Sequence, residues 1–86
     1  MNKGTILVVE DDKMIQNLLA TTLDLNGYEY QIASTAEQGI LKAVSYNPDV
    51  IILDLGLPDK DGIEVIRKIR SFSNVTIIIA VSYTHL

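Results

Sequence analysis

Two short runs of consecutive apolar residues, Ile6-Leu7-Val8-Val9 and Val50-Ile51-Ile52-Leu53, each end in acid: Glu10-Asp11-Asp12 after the first and Asp54 after the second. A run of about four to six apolar residues without alternation suits a strand buried on both faces, and such strands are typically parallel. Between them the period changes. Met14, Ile15, Leu18, Leu19, Thr22 and Leu23 recur at three- and four-residue spacing, which predicts a helix capped by Asp12 and stopped at Asn26-Gly27. Tyr28 to Ala33 alternates and predicts a second strand. Ser34-Thr35-Ala36-Glu37 reads as a capping box, opening a helix that turns Ala36, Ile40, Ala43 and Val44 inward and closes at Asn47-Pro48. Asp49 to Asp54 is the third strand, Gly62 to Ser71 a third helix facing inward through Ile63, Ile66 and Ile69, and Val75 to Val81 a fourth strand.

This βαβαβαβ order predicts an α/β fold, a parallel sheet with right-handed crossovers and helices on both faces. The carboxyl ends of parallel strands lie together, and in open α/β sheets that shared edge is where ligands bind. The acidic residues at the ends of the first and third strands are therefore expected to converge. Repeats, linkers and low-complexity segments are absent from the sequence.

Composition narrows the partners. The 86 residues hold one domain at most, and 48% hydrophobic with 21% charged residues is a globular balance. A formal charge of -4, with seven scattered Lys and Arg, argues against direct nucleic-acid binding by this segment. Without cysteine there are no disulfide staples or thiolate metal sites. No stretch approaches the roughly 18 apolar residues of a membrane span, and Met1-Asn2-Lys3-Gly4 leads into a strand rather than a signal-peptide core. A cytoplasmic protein is expected, without a membrane partner.

Three carboxylates brought within a few ångströms repel, raising pKa values unless a divalent cation neutralises them. Magnesium suits Glu10, Asp11 and Asp54 because it takes hard oxygen ligands and commonly uses one or two carboxylates plus phosphate oxygens. The backbone carbonyl of Gly56 is a further candidate ligand. Asp54, held by a buried strand, is also a candidate nucleophile toward a phosphoryl group, giving an acyl phosphate. That chemistry is self-modification, so the chain is not expected to be an enzyme. Asp12 is read as a structural cap, Pro58 and Gly62 as shaping a loop and helix start, Asp59 and Asp61 as solvated turn residues, and Lys60 as soluble surface.

Ile6-Leu7-Val8-Val9-Glu10-Asp11-Asp12, with Ile51-Ile52-Leu53-Asp54-Leu55-Gly56-Leu57-Pro58-Asp59-Lys60-Asp61-Gly62 downstream, closely resembles the receiver domain of bacterial two-component response regulators. The Asp-Leu-Gly-Leu-Pro-Asp-x-Asp-Gly form, and Asn47-Pro48-Asp49 before the strand, look most like the potassium-transport (Kdp) branch of that family. The resemblance covers residues 5 to about 79. It implies a flavodoxin-like (CheY-like) sheet with strand order 2-1-3-4-5. It further implies that Asp54 accepts a phosphoryl group from a histidine of a sensor kinase, that Glu10 and Asp11 serve Mg2+, and that Gly56 contributes its carbonyl.

The sequence also departs from that pattern. Receivers end their fourth strand on a Ser or Thr that hydrogen-bonds the phosphoryl group, then continue through a helix, a fifth strand bearing a switch aromatic and a Lys, and a last helix. Aligned on Asp54, Val81 falls where the hydroxyl belongs and Ser82 comes one position late, which turns Ser82 away from Asp54 unless a bulge corrects it. Val81-Ser82-Tyr83-Thr84-His85-Leu86 does not resemble a receiver's continuation, and His85, so close to a terminus, is read as solvated. The expectation is an incomplete receiver over residues 1–86, with an artefactual tail at 81–86, lacking the last strand and helices, most of the dimerisation surface and a DNA-binding output domain. Without a fifth strand, Val75 to Val81 becomes an apolar, uncharged, aggregation-prone edge. Two alternatives stay open: a non-switching remnant or interaction module that keeps the fold, and a flavodoxin-like cofactor domain. The latter has no Gly-rich or Ser/Thr-rich phosphate loop after the first strand, where Glu10-Asp11-Asp12 stands instead.

Overall fold

The computed structural model describes residues 3–80, and the positions singled out at Val81, Ser82 and His85 lie outside the described residues. Strands β1 (Thr5–Val9), β2 (Glu29–Ala33), β3 (Val50–Asp54) and β4 (Thr76–Ala80) alternate with helices α1 (Lys13–Leu25), α2 (Ala36–Tyr46) and α3 (Gly62–Arg70). All neighbouring strands are parallel and the sheet order is β2-β1-β3-β4. This is the flavodoxin-like arrangement, and it places β1 and β3 side by side in the interior, Val9 opposite Leu53. The residues that follow them emerge as neighbours on one edge of the sheet.

The pleat divides the apolar runs between two cores, because successive strand residues point to opposite faces. Leu7, Val9, Ile51 and Leu53 join Ala36 and Ala43 of α2 and Val65 and Ile69 of α3 in the larger cluster. Ile6 and Val8 point the other way, to Leu23 of α1, with Leu19, Tyr28, Ile32, Val50 and Ile52 half-buried around them.

All three helices form where the periodicity places them, but the buried stripes differ from those expected. In α1 the buried residues are Gln16 and Leu23, while Met14 is 81% and Leu18 66% exposed. The stripe therefore runs through positions 16, 19, 20 and 23, at i, i+3, i+4 and i+7. In α2 Ala36, Gly39 and Ala43 are buried and Val44 is exposed; in α3 Gly62, Val65 and Ile69 are buried and Ile63 is exposed. A side chain's distance from the sheet, not its hydrophobicity, decides these positions.

Asp12 caps α1 as expected, its Oδ1 accepting from Met14 N at 2.8 Å and Ile15 N at 3.3 Å. Gly27, at φ +81°, ends the same helix, with Tyr28 N donating to Leu23 O and Gly27 N to Asp24 O, the paired bonds of a left-handed terminator. Asn47 adopts the left-handed conformation (φ 49°) that closes α2 before Pro48. The α2 capping box sits one residue later than expected. Thr35 is the cap, its Oγ1 accepting from Gln38 N at 3.1 Å, while Gln38 Oε1 reaches back to Ser34 N at 3.2 Å.

Gly39 is buried because α2 crosses β1 there: a Cβ at this position would lie 2.8 and 2.9 Å from the methyl carbons of Val9, which is itself fully buried. A short β-branched side chain in the core has no room to yield. Gly39→Ala is expected to lose about 1 kcal/mol in urea unfolding, although Ala ordinarily favours a helix over Gly by about that amount, and Gly39→Val to lose more, toward the roughly 3 kcal/mol of an overpacked core. A gain in stability for the Ala variant would show that the two elements separate more easily than this packing implies.

The carboxylate cluster at the strand ends

Glu10 continues directly from β1, and its N–H donates to Ala33 O at 3.0 Å, extending the sheet ladder past the strand's end. Its Oε2 accepts from Asp12 N at 3.0 Å. Asp54 is the last residue of β3, and one of its carboxylate oxygens, Oδ1, accepts from Gly56 N at 3.0 Å. Asp11, in the connection from β1 to α1, is exposed, whereas Glu10 and Asp54 are only 3% and 6% exposed. One oxygen of each of the three carboxyl groups lies within 4.8 Å of the others. The residues expected to converge are therefore assembled by the parallel pairing of β1 and β3.

Burial raises the pKa of the Glu10 carboxyl from its ordinary 4.5 to about 7; the Asp12 N–H opposes that rise, and the nearby carboxyls of Asp54 and Asp11 add to it. Among the described residues no cationic side chain acts on Glu10. A carboxylate set with two of its three members buried, with oxygen donors only and no Lys or Arg among the described residues acting on Glu10, has the chemistry of a hard divalent-cation site. The residues present fit Mg2+.

The sign of the resulting pH dependence follows from linkage. A carboxyl whose folded pKa lies above its unfolded value binds its proton more tightly in the fold, so stability falls as pH rises from 4.5 to about 7. In metal-free protein this decline is expected to be on the order of 1–3 kcal/mol, followed by thermal melts in a chelator. Added Mg2+ favours the charged form and should flatten it, and Glu10→Gln should remove it. A stability that climbs across the same window would contradict this account.

Gly56 follows on the exposed turn after Asp54, and Leu57 anchors that turn in the core. A Cβ on Gly62 would meet the side chain of Leu55 and lie 3.0 Å from its Cα, so α3 starts hard against the same turn. Two residues expected to be solvated have structural partners instead. Asp61 caps α3, accepting from Ile63 N at 3.0 Å. Asp59 reaches across to α2, accepting from Ala36 N at 2.9 Å and Glu37 N at 3.1 Å; these bonds, led by that from Ala36, hold its carboxyl below the usual range. Gln16, which sequence periodicity assigned no role, is buried with its amide beside Glu10. The one available signal was a polar residue lying in phase with Leu19 and Leu23.

A parallel α/β sheet carrying three acids at the carboxyl ends of two adjacent strands has the architecture of a receiver-type fold. The family model for the response regulator receiver domain matches residues 6–85, and the chain belongs to that family. It is 47% identical over 74 residues to the KDP operon transcriptional regulatory protein KdpE of Escherichia coli (strain K12), covering 86% of this chain and 33% of that protein. It is 46% identical over 77 residues to KdpE of Staphylococcus aureus, covering 90% of this chain and 33% of that protein. The chain thus spans about a third of the length of these curated relatives. Among solved structures, the CheY-like receiver domain protein of Methanospirillum hungatei JF-1 superposes with a TM-score of 0.87 at 31% identity, over 95% of this chain and 66% of that one. The BeF3-activated receiver domain of Klebsiella pneumoniae RstA gives 0.86 at 26% identity, over 94% and 69%. Among the described residues no helix is long and apolar enough to cross a membrane.

Proposed function

We propose that the chain is the phosphoacceptor module of a two-component relay, in which Asp54 takes a phosphoryl group from a phosphohistidine of a sensor kinase. The observation that carries this reading is the buried Asp54 carboxylate within 4.8 Å of those of Glu10 and Asp11, in a member of the receiver family. A carboxylate oxygen of Asp54 attacks phosphorus, the P–N bond to the donor imidazole breaks, and the imidazole leaves as it takes up a proton. The Gly56 N–H on Oδ1 fixes the carboxylate plane for that attack. Glu10, Asp11 and Asp54, with the Gly56 carbonyl, would hold Mg2+, which when bound offsets negative charge on the transferring oxygens.

In this reading the segment receives the signal, and DNA is contacted by another part of the protein, as the names of the KdpE relatives suggest and the charge of -4 allows. The test is incubation of the 86-residue chain with a small phosphodonor and Mg2+, followed by intact mass and peptide mapping. One phosphoryl adduct on Asp54, released by hydroxylamine and dependent on Mg2+, is the expected result. Stabilisation by Mg2+ with no adduct is the behaviour of a non-switching module and would overturn the phosphotransfer reading for this chain.

A further inference from the structure

Among the described residues the buried polar side chains are Glu10, Gln16 and Asp54. The first and last belong to the acidic cluster. Gln16, on the first turn of α1, is 4% exposed and spends its side-chain amide on two bonds: Nε2 donates to Glu10 O at 2.5 Å and to Ser34 Oγ at 3.1 Å. Its backbone N–H closes the turn by donating to Asp12 O at 2.9 Å. The carbonyl held by Nε2 is that of the peptide joining Glu10 to Asp11. A peptide is planar and stiff, so fixing its oxygen fixes the direction in which the chain leaves toward Asp11. Residues 10–12 lie between β1 and α1 in neither strand nor helix. Both backbone groups of Glu10 are thus tied to the neighbouring strand and the connection that follows it: the N–H, in the preceding peptide, to Ala33 O at the end of β2, and the carbonyl, through Gln16, to Ser34.

We infer that Gln16 is a positioning residue for the acidic site, holding the Glu10–Asp11 peptide at the spacing a small cation requires. The inference rests on the reading of the cluster as a Mg2+ site. Mg2+ demands near-ideal octahedral geometry at short distances, whereas Ca2+ accepts longer and more variable ones. Loosening this peptide therefore costs Mg2+ more than Ca2+, which distinguishes positioning from a general loss of stability.

The experiment compares Mg2+ and Ca2+ titrations of the 86-residue chain, Gln16→Met and Ser34→Ala, followed by backbone amide shifts around residues 10–12 and 54–56, with thermal melts alongside. Gln16→Met keeps the volume and loses both donors; it is expected to weaken Mg2+ binding about 10-fold, and Ca2+ binding less. Ser34→Ala removes only the outer anchor and should give a smaller loss of the same kind. If Gln16→Met does not fold cooperatively, Ser34→Ala decides alone: a selective Mg2+ loss supports the inference and none overturns it. Unchanged Mg2+ affinity, or equal losses for both ions, overturns the positioning role while leaving the metal site standing. No Mg2+ binding by the parent chain overturns the metal reading and this inference with it.

Discussion

Asp54→Asn is expected to take up no phosphoryl group from a small phosphodonor in Mg2+, with adduct at background by intact mass. The three acids are not equivalent as nucleophiles. Glu10 has Oε2 engaged by the Asp12 N–H, and its raised pKa of about 7 leaves much of it protonated near neutrality in metal-free protein. Asp11 is exposed and follows no strand directly. Asp54 ends an interior strand, is nearly buried, and has one oxygen oriented by Gly56 N. Asn keeps the size of Asp and can still accept that bond, so the variant should melt near the parent temperature while losing the nucleophile. It should also bind Mg2+ more weakly, one charged ligand having gone. An adduct of parental yield on Asp54→Asn, or one that maps to Asp11, would refute the assignment.

Leu53→Ala is expected to cost 2–5 kcal/mol of stability by denaturant unfolding, about the range for truncating a fully buried Leu. Leu53 has no exposed surface and packs in the larger cluster with Val9, Val65 and Ile69. Its strand lies between β1 and β4, so the cavity has rigid neighbours on both sides and little means of collapse. Domains have only about 0.05–0.15 kcal/mol of stability per residue, so this loss would remove a large part of the total. Leu41→Ala is the control: Leu41 is 65% exposed on α2 and should change stability by less than about 1 kcal/mol. Similar losses for the two would mean that the described core does not carry the fold.

The strands and their acidic ends were legible because they depend on local pattern: Ile6 to Val9 and Val50 to Leu53 are uninterrupted apolar runs, and each delivers its acids at the end. The strand order came only through family resemblance, since alternation of strands and helices does not fix which strands are neighbours. Helix faces were less legible. Met14, Leu18, Val44 and Ile63 fit a 3.6-residue period as well as the buried positions do, yet the sheet covers one flank of each helix and leaves these in solvent. The polar and glycine contacts were hidden because their partners are remote in sequence: Asp59 meets α2 across 23 positions, Gln16 meets Ser34 across 18, and Gly39 is needed because Val9 lies beneath it.

The unequal covering of the sheet has a dynamic consequence. Among the described residues the α2–α3 face holds ten buried apolar residues, and the α1 face holds three, Ile6, Val8 and Leu23. In native-state amide exchange, α1 should open as a unit before α3 does, since fewer apolar contacts oppose its release. Detaching α1 unseats Gln16 and Asp12, and so dismantles the Glu10–Asp11 half of the cluster while Asp54 stays in its strand. An ion that bridges the two halves would act as a clasp across that opening, and protection gained on its binding should appear along α1 more than along α3.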